Sequence, residues 1–291
     1  MTQPAALRSR AEDLAASLPP LMAEAEHLAA TVLLGAHGRR RSGMGDEFWQ
    51  YRPSMPGDEA RAIDWRRSAR SDAHFVREKE WQAAQSVLLW IDEALSMDFT
   101  SDKNLPSKAA RARLLALATA ILLIRGGERV ALSALGTPPR AGELQLLRIA
   151  QRLSQPDDRP DYGAPDVRGM LSHSRALFVS DFMGDVAPVA AQLTKAADRG
   201  VKGVLLQILD PQEEAFPFDG RTIFESMGRS VSHETLKAGD LRDRYLTRLA
   251  ERKDALQLLA RRTGWQYQCH HTSAPAQSAL LWTYSALERR R

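Results

Sequence analysis

Five apolar residues in a row, Val87-Leu88-Leu89-Trp90-Ile91, end abruptly at Asp92 within the stretch Ser86–Met97. A short run that is apolar at every position, not at alternate ones, describes a strand buried on both faces. Such a strand belongs inside a sheet with helices on either side, so the run points to a layered α/β fold. The acid then falls at the carboxyl end of the strand, where open α/β sheets place their ligands. The pattern returns at Ala176-Leu177-Phe178-Val179-Ser180-Asp181, and Gly203–Leu209, apolar but for Gln207, is a further such run, ending at Asp210. Two neighbouring strands of this kind would bring Asp92 and Asp181 to one rim.

Around these runs the sequence alternates between strand and helix patterns. Strands are expected over 86–92, 129–134, 175–180, 203–209 and 265–270, with a β-hairpin near 221–233. Helical periodicity covers about 107–125, 141–153, 186–199, 239–263 and 276–289. Strands separated by helices of that length make βαβ units and a mostly parallel central sheet flanked by helices. Ahead of this region, residues 1–34 carry Leu7, Leu14, Leu18, Leu21, Leu28 and Val32 near helical spacing, interrupted by Pro19-Pro20, which predicts two short helices. Residues 35–80 differ: Gly, Pro, Arg and acids dominate, with Phe48, Trp49, Tyr51, Trp65 and Phe75 as aromatic anchors. This segment reads as long loops with an edge strand at 74–80, its arginines and acids paired internally. The expected organisation is a helical segment over 1–34, the loop-rich segment over 35–80 and an α/β domain over 81–291.

The chain-wide properties restrict function without selecting it. A net charge of +4 in 291 residues is too mild to predict wholesale nucleic-acid or membrane binding. The single cysteine, Cys269, leaves no disulfide framework within the chain. No apolar run has the length of a membrane span or a signal-peptide core, which predicts a cytoplasmic protein.

The strand-end acids are the candidates for chemistry. Asp92, the Ser96 hydroxyl four residues on, and Asp181 offer the hard oxygen ligands that magnesium prefers. The plainer reading is that both aspartates cap helices or pair with arginines of the 39–70 stretch. His270-His271, beside Cys269, look like a metal pair, but adjacent residues of a strand point to opposite faces. Gly43-Met44-Gly45-Asp46 is too short for a phosphate-cradling loop and lacks its lysine. Arg39-Arg40-Arg41 reads as a solvated or internally paired run.

Spaced motifs across 35–185 carry a resemblance. Gly43-x-Gly45-Asp46-Glu47-Phe48, Tyr51-Arg52-Pro53, Pro56-Gly57-Asp58, Arg61-x-Ile63-Asp64-Trp65 and Ser68-Ala69-Arg70 are followed by Asp92-x-x-x-Ser96-Met97 and Ser180-Asp181-Phe182. In this order they resemble the signature of the bacterial family called domain of unknown function 58. The resemblance implies a von Willebrand factor A-like domain, a Rossmann-type α/β sandwich, with the Arg-rich segment inserted before it. It implies a metal-ion-dependent adhesion site of the form Asp-x-Ser-x-Ser plus a later Thr and Asp, and a MoxR-type AAA+ ATPase encoded nearby as partner.

The sequence departs from that ligand set in two places. Ala94 stands where the middle serine belongs, and Asp161-Tyr162-Gly163-Ala164 supplies no threonine. The expectation is a degenerate site at Asp92, Ser96 and Asp181, holding at most a weakly bound magnesium ion, with no other cofactor. The signature residues Gly45, Asp46, Glu47, Phe48, Tyr51, Arg52, Gly57, Asp58, Arg61, Ile63, Asp64, Trp65, Ala69 and Arg70 are the expected partner face. The expected function is an adaptor or co-chaperone, not an enzyme, serving the ATPase and other products of the same operon. The competing reading is a metal-dependent hydrolase or nuclease built on the strand-end aspartates, for which the sequence offers few acids.

Overall fold

In the computed structural model, residues 20–36, 48–55, 63–70, 74–79, 84–155, 159–228 and 232–288 are described. They fall into two compact units: residues 36–84 form the smaller, and the remainder form the larger.

The smaller unit is built on β1 (Phe48–Pro53) and β2 (Phe75–Lys79), paired antiparallel with Tyr51 opposite Arg77 and Arg52 opposite Val76. Residues 48–53, read from sequence as loop, are therefore a strand. A register shift between Phe48 and Gln50 interrupts the alternation by which a strand is recognised, and Pro53 closes the strand after six residues. Between the strands lies a single helical turn, α2 (Trp65–Ser68). Asp64 caps it, accepting from the backbone N–H groups of Arg66 and Arg67 at 3.1 Å each. Ser68 then donates to the Asp64 carbonyl and accepts from Phe75 N–H, joining the turn to β2. Ile63 leads into this turn and Ala69-Arg70 leave it. Gly45, Asp46, Glu47, Gly57, Asp58 and Arg61 lie outside the described residues.

The larger unit contains a five-stranded, fully parallel sheet. In chain order its elements are α1 (Pro20–Ala36), β3 (Ser86–Ile91), α3 (Lys108–Arg125), β4 (Arg129–Leu132), α4 (Glu143–Ser154), β5 (Arg175–Ser180), α5 (Val186–Asp198), β6 (Lys202–Leu209), α6 (Pro211–Ala215), β7 (Thr222–Glu225), β8 (Ser232–Thr235), α7 (Gly239–Thr263), β9 (Gln266–His271) and α8 (Ala276–Glu288). Across the sheet the order is β4-β3-β5-β6-β9, and β7 and β8 form a separate antiparallel hairpin.

Alternate residues of each buried strand feed two apolar layers. Val87, Leu89 and Ile91 pack with α1, α3, α4 and α8, whereas Leu88 and Trp90 pack with α5, α7 and Trp265. This two-sided cover is the physical reason for the unbroken apolar runs. Pro20 takes the first position of α1, where its missing N–H costs nothing. The first of the two expected N-terminal helices lies outside the described residues. No helix among the described residues is long and apolar enough to cross a membrane.

The chain leaves β3 for β4 on one side and returns to β5 on the other. The crevice where the order reverses therefore opens at the carboxyl ends of β3 and β5, the position at which such sheets bind ligands.

Candidate functional site

β3 and β5 are in register from Val87–Arg175 to Ile91–Val179, and Asp92 N–H donates to the Val179 carbonyl at 2.8 Å. Asp92 and Asp181 therefore leave adjacent strands at the same edge, and both are buried. Their surroundings differ. Asp92 Oδ2 accepts from the Ser180 hydroxyl at 2.6 Å, and Oδ1 accepts from Ala94 N–H at 2.9 Å. These are neutral donors. Burial pushes the Asp92 carboxyl up to about 6, aided by the Asp181 charge and opposed by the Ser180 and Ala94 bonds and by Lys108.

Asp181 faces a cation instead. Its Oδ2 lies 2.8 Å from Lys108 Nζ, and its Oδ1 accepts from Met183 N–H at 3.0 Å. Lys108 also reaches Glu213 Oε1 at 2.6 Å, and its ammonium is almost wholly removed from solvent. Burial works against that charge, but Asp181 and Glu213 outweigh it and hold Lys108 above its ordinary value. Burial lifts Glu213 despite the ammonium beside it. Phe182, next along, sits at φ 50, a left-handed conformation uncommon for an aromatic residue.

Ser96 lies in a 3-10 turn, Leu95–Asp98, held by the loop beneath it: Leu95 N–H donates to the Pro160 carbonyl and Ser96 N–H to the Asp161 carbonyl. Its hydroxyl is buried and has no hydrogen-bond partner among the described residues. The same loop presses on Asp92. A Cβ at Gly163 would stand 2.1 Å from Asp92 Oδ1, so only a glycine lets the backbone approach this closely.

The three sequence candidates thus share an edge without converging on one point. Ser96 and Asp181 line one cavity with Lys108 and Glu213, while Asp92 lines another with Glu93, Arg152 and Arg159. The arginines of that second cavity are engaged: Arg152 pairs with Glu93 and Arg159 with Asp98, both at 2.8 Å. Among the described residues no group of three His, Cys, Asp or Glu side chains is arranged to hold a metal ion.

Other candidates have local roles. Asp210, the third strand-end acid, caps α6 in a capping box with Glu213 and accepts from Ser101 N–H. His270 is directed at Arg111 and His271 at Glu214, so the pair diverges as strand geometry requires. Burial raises the Cys269 thiol, which argues against a reactive thiolate.

Sequence reasoning missed Lys108 and Glu213. The available signal for Lys108 is its place in the first turn of α3, immediately after the Ser107 cap, where the helix dipole disfavours a cation. For Glu213 it is the spacing of Asp210-Pro211-Gln212-Glu213, a capping-box pattern.

Comparison with known proteins gives a family and distant relatives. The family described as "Protein of unknown function DUF58" matches residues 50–255. Uncharacterised proteins of Mycobacterium bovis and Mycobacterium tuberculosis are each 27% identical over 262 residues, covering 83% of this chain and 80% of their own length. Among solved structures, the conserved hypothetical protein BatB from Bacteroides thetaiotaomicron is 13% identical, with a TM-score of 0.39, over 70% of this chain and 98% of that one. An aerotolerance-related membrane protein from Bacteroides fragilis is 11% identical, with a TM-score of 0.40 over the same shares.

Proposed function

The chain belongs to the DUF58 family, and from that premise we propose that it is a protein-interaction module, an adaptor or co-chaperone for a MoxR-type AAA+ ATPase. In this reading residues 81–291 are a von Willebrand factor A-like domain whose metal-ion-dependent adhesion site has degenerated. The edge around Asp92, Ser96 and Asp181 is one contact face, and the family signature segment is a second. The protein works in the cytoplasm beside other products of its operon.

The observation that carries this reading is the Lys108 ammonium bonded to Asp181 at 2.8 Å. A divalent ion at this edge needs free carboxylate oxygens, and Asp181 has one oxygen on the lysine and the other on Met183 N–H. Ala94 has no oxygen ligand in its side chain, and the 160–164 loop gives its Pro160 and Asp161 carbonyls to the Leu95–Ser96 backbone. The residues present do not fit an adhesion-site metal. The same engagement argues for binding over hydrolysis, because neither aspartate is left free to hold or activate a water.

The test is co-purification of the full chain with the AAA+ protein encoded beside it, in ATP, in ADP and without nucleotide. Retention in at least one nucleotide state is expected. Tyr162→Ala, at an exposed rim position, is expected to weaken retention without changing the melting temperature. Absence of retention in every nucleotide state overturns the adaptor reading.

A further inference from the structure

On the Asp181 side of the strand ends lies an open chamber of about 640 Å³. Phe216, Phe218, Phe224 and Tyr245 form its apolar wall. Phe216 is the hub: it stacks on Phe224 at 5.7 Å and lies 4.9 Å from Tyr245 and 5.3 Å from Phe218. Of the four, only Phe216 is fully buried, so the other three present ring surface to the chamber.

The floor is polar and internally satisfied, except at one atom. Lys108 bonds to both Asp181 and Glu213 there, so one cation is shared between two carboxylates. Ser96, 9% exposed, also lines the chamber, and its hydroxyl has no partner among the described residues. A buried hydroxyl without a partner is costly unless something else supplies the bond.

The mouth carries two guanidiniums, Arg244 and Arg248, against one carboxylate, Glu225. Arg244, Arg248 and Arg252 form an i, i+4, i+8 stripe on α7. Arg252 donates to the carbonyls of Phe182 and Gly184. Arg244 and Arg248 line the chamber, are exposed, and make no hydrogen bond or ion pair among the described residues. Glu225 lines the same chamber and pairs with neither. Two guanidiniums one turn apart suit a carboxylate ligand. Met227, exposed in the turn after β7, carries the apolar lining out to the rim. A contact that runs beyond the chamber suits a polypeptide better than a free small molecule.

We propose that this chamber receives one apolar or aromatic side chain of a partner polypeptide, while an adjacent acidic residue of the same segment pairs with Arg244 and Arg248. Where the inserted side chain is tyrosine, its hydroxyl meets the hydrogen-bonding need of the buried Ser96 hydroxyl. The proposal rests on the interaction reading only in taking the occupant to be a protein; the identity of the ATPase does not enter it.

The experiment is fluorescence anisotropy on the full chain with a short labelled, capped peptide carrying one phenylalanine between two glutamates. Controls replace the glutamates by glutamine or the phenylalanine by alanine. Saturable binding of the parent peptide is expected, with each control roughly tenfold weaker and the binding weakened by added salt. The double variant Arg244→Ala/Arg248→Ala is expected to bind the parent peptide roughly tenfold more weakly while its melting temperature stays put, because both residues are exposed. Failure of the parent peptide to bind, or equal binding of all three peptides, overturns the proposal. Binding of decanoate that the double variant abolishes, without peptide binding, replaces it with a small amphiphilic carboxylate. A chain that binds the peptide but not the ATPase keeps this site and loses the adaptor reading; the converse result removes this site alone.

Discussion

Asp92 and Asp181 occupy matching ends of two neighbouring buried strands, yet the protein treats them in opposite ways. Asp92 is given a hydroxyl and a backbone N–H, and burial lifts its carboxyl to about 6. Asp181 is given an ammonium carried in by α3 from 73 residues away in sequence. The lesson is that position on a sheet edge sets where an acid points, while elements arriving from elsewhere set its charge state. One side of the edge has an internal counter-ion, and the other holds an acid poised to lose or gain its charge near neutral pH.

The sharpest way to break this contrast is to remove the counter-ion. Lys108→Met keeps the length of the side chain and leaves Asp181 and Glu213 buried without their cation. Removing one partner of a buried ion pair is expected to cost about 3–5 kcal/mol, read from urea unfolding at pH 7. The loss is expected to shrink at lower pH as Glu213, already lifted by burial, takes up a proton. A variant within about 1 kcal/mol of the parent protein would show that the ion pair is not structural and that the two strand ends are alike.

The second test acts on the other side. Asp92 has a folded value near 6 against 3.8 for the free group, so between these values the folded chain binds more protons than the unfolded one. Stability attributable to Asp92 is therefore highest below about pH 4 and falls as pH rises toward 6, by about 3 kcal/mol for a shift of roughly two units. Asp92→Asn removes this titration while keeping an acceptor for Ala94 N–H. Relative to the parent, the variant is expected to gain stability steadily from pH 4 to pH 7 in thermal melts. Parallel profiles would mean that Asp92 is not held in a desolvated site.

Much of the layered region was legible because its signals are local. The all-apolar runs mark the sheet, and the helical period marks α3, α4, α5, α7 and α8 to within a residue or two. β1 was not legible, since its register shift and terminal proline erase the alternation. The positions of Asp92 and Asp181 followed from their place at the ends of apolar runs. Their different surroundings did not follow, because Lys108 meets Asp181 and Glu213 across 73 and 105 residues, and no local pattern records such a meeting. Ser96 was singled out as a candidate oxygen ligand, but the aromatic wall of the chamber it opens into is made by Phe216, Phe218, Phe224 and Tyr245, which no sequence motif marks.

The smallest expected effect comes from glycines on the two sides of the edge. At Gly163 a Cβ would lie 2.1 Å from Asp92 Oδ1 and 2.6 Å from its Cγ. Asp92 is pinned by Ser180 and Ala94 and cannot turn away, so the loop must rise and strain the Pro160 and Asp161 carbonyl bonds to Leu95 and Ser96. At Gly184 the new methyl would meet Tyr162 Cβ at 2.8 Å, a longer approach than the one at Gly163. Gly163→Ala is expected to cost about 1–3 kcal/mol and Gly184→Ala less, as overpacking does where the collision is milder. A double-mutant cycle isolates the cause. Combined with Asp92→Ala, which removes the colliding atoms, Gly163→Ala is expected to lose at least half of its cost, whereas simple additivity would place the strain in the loop itself and not against the acid.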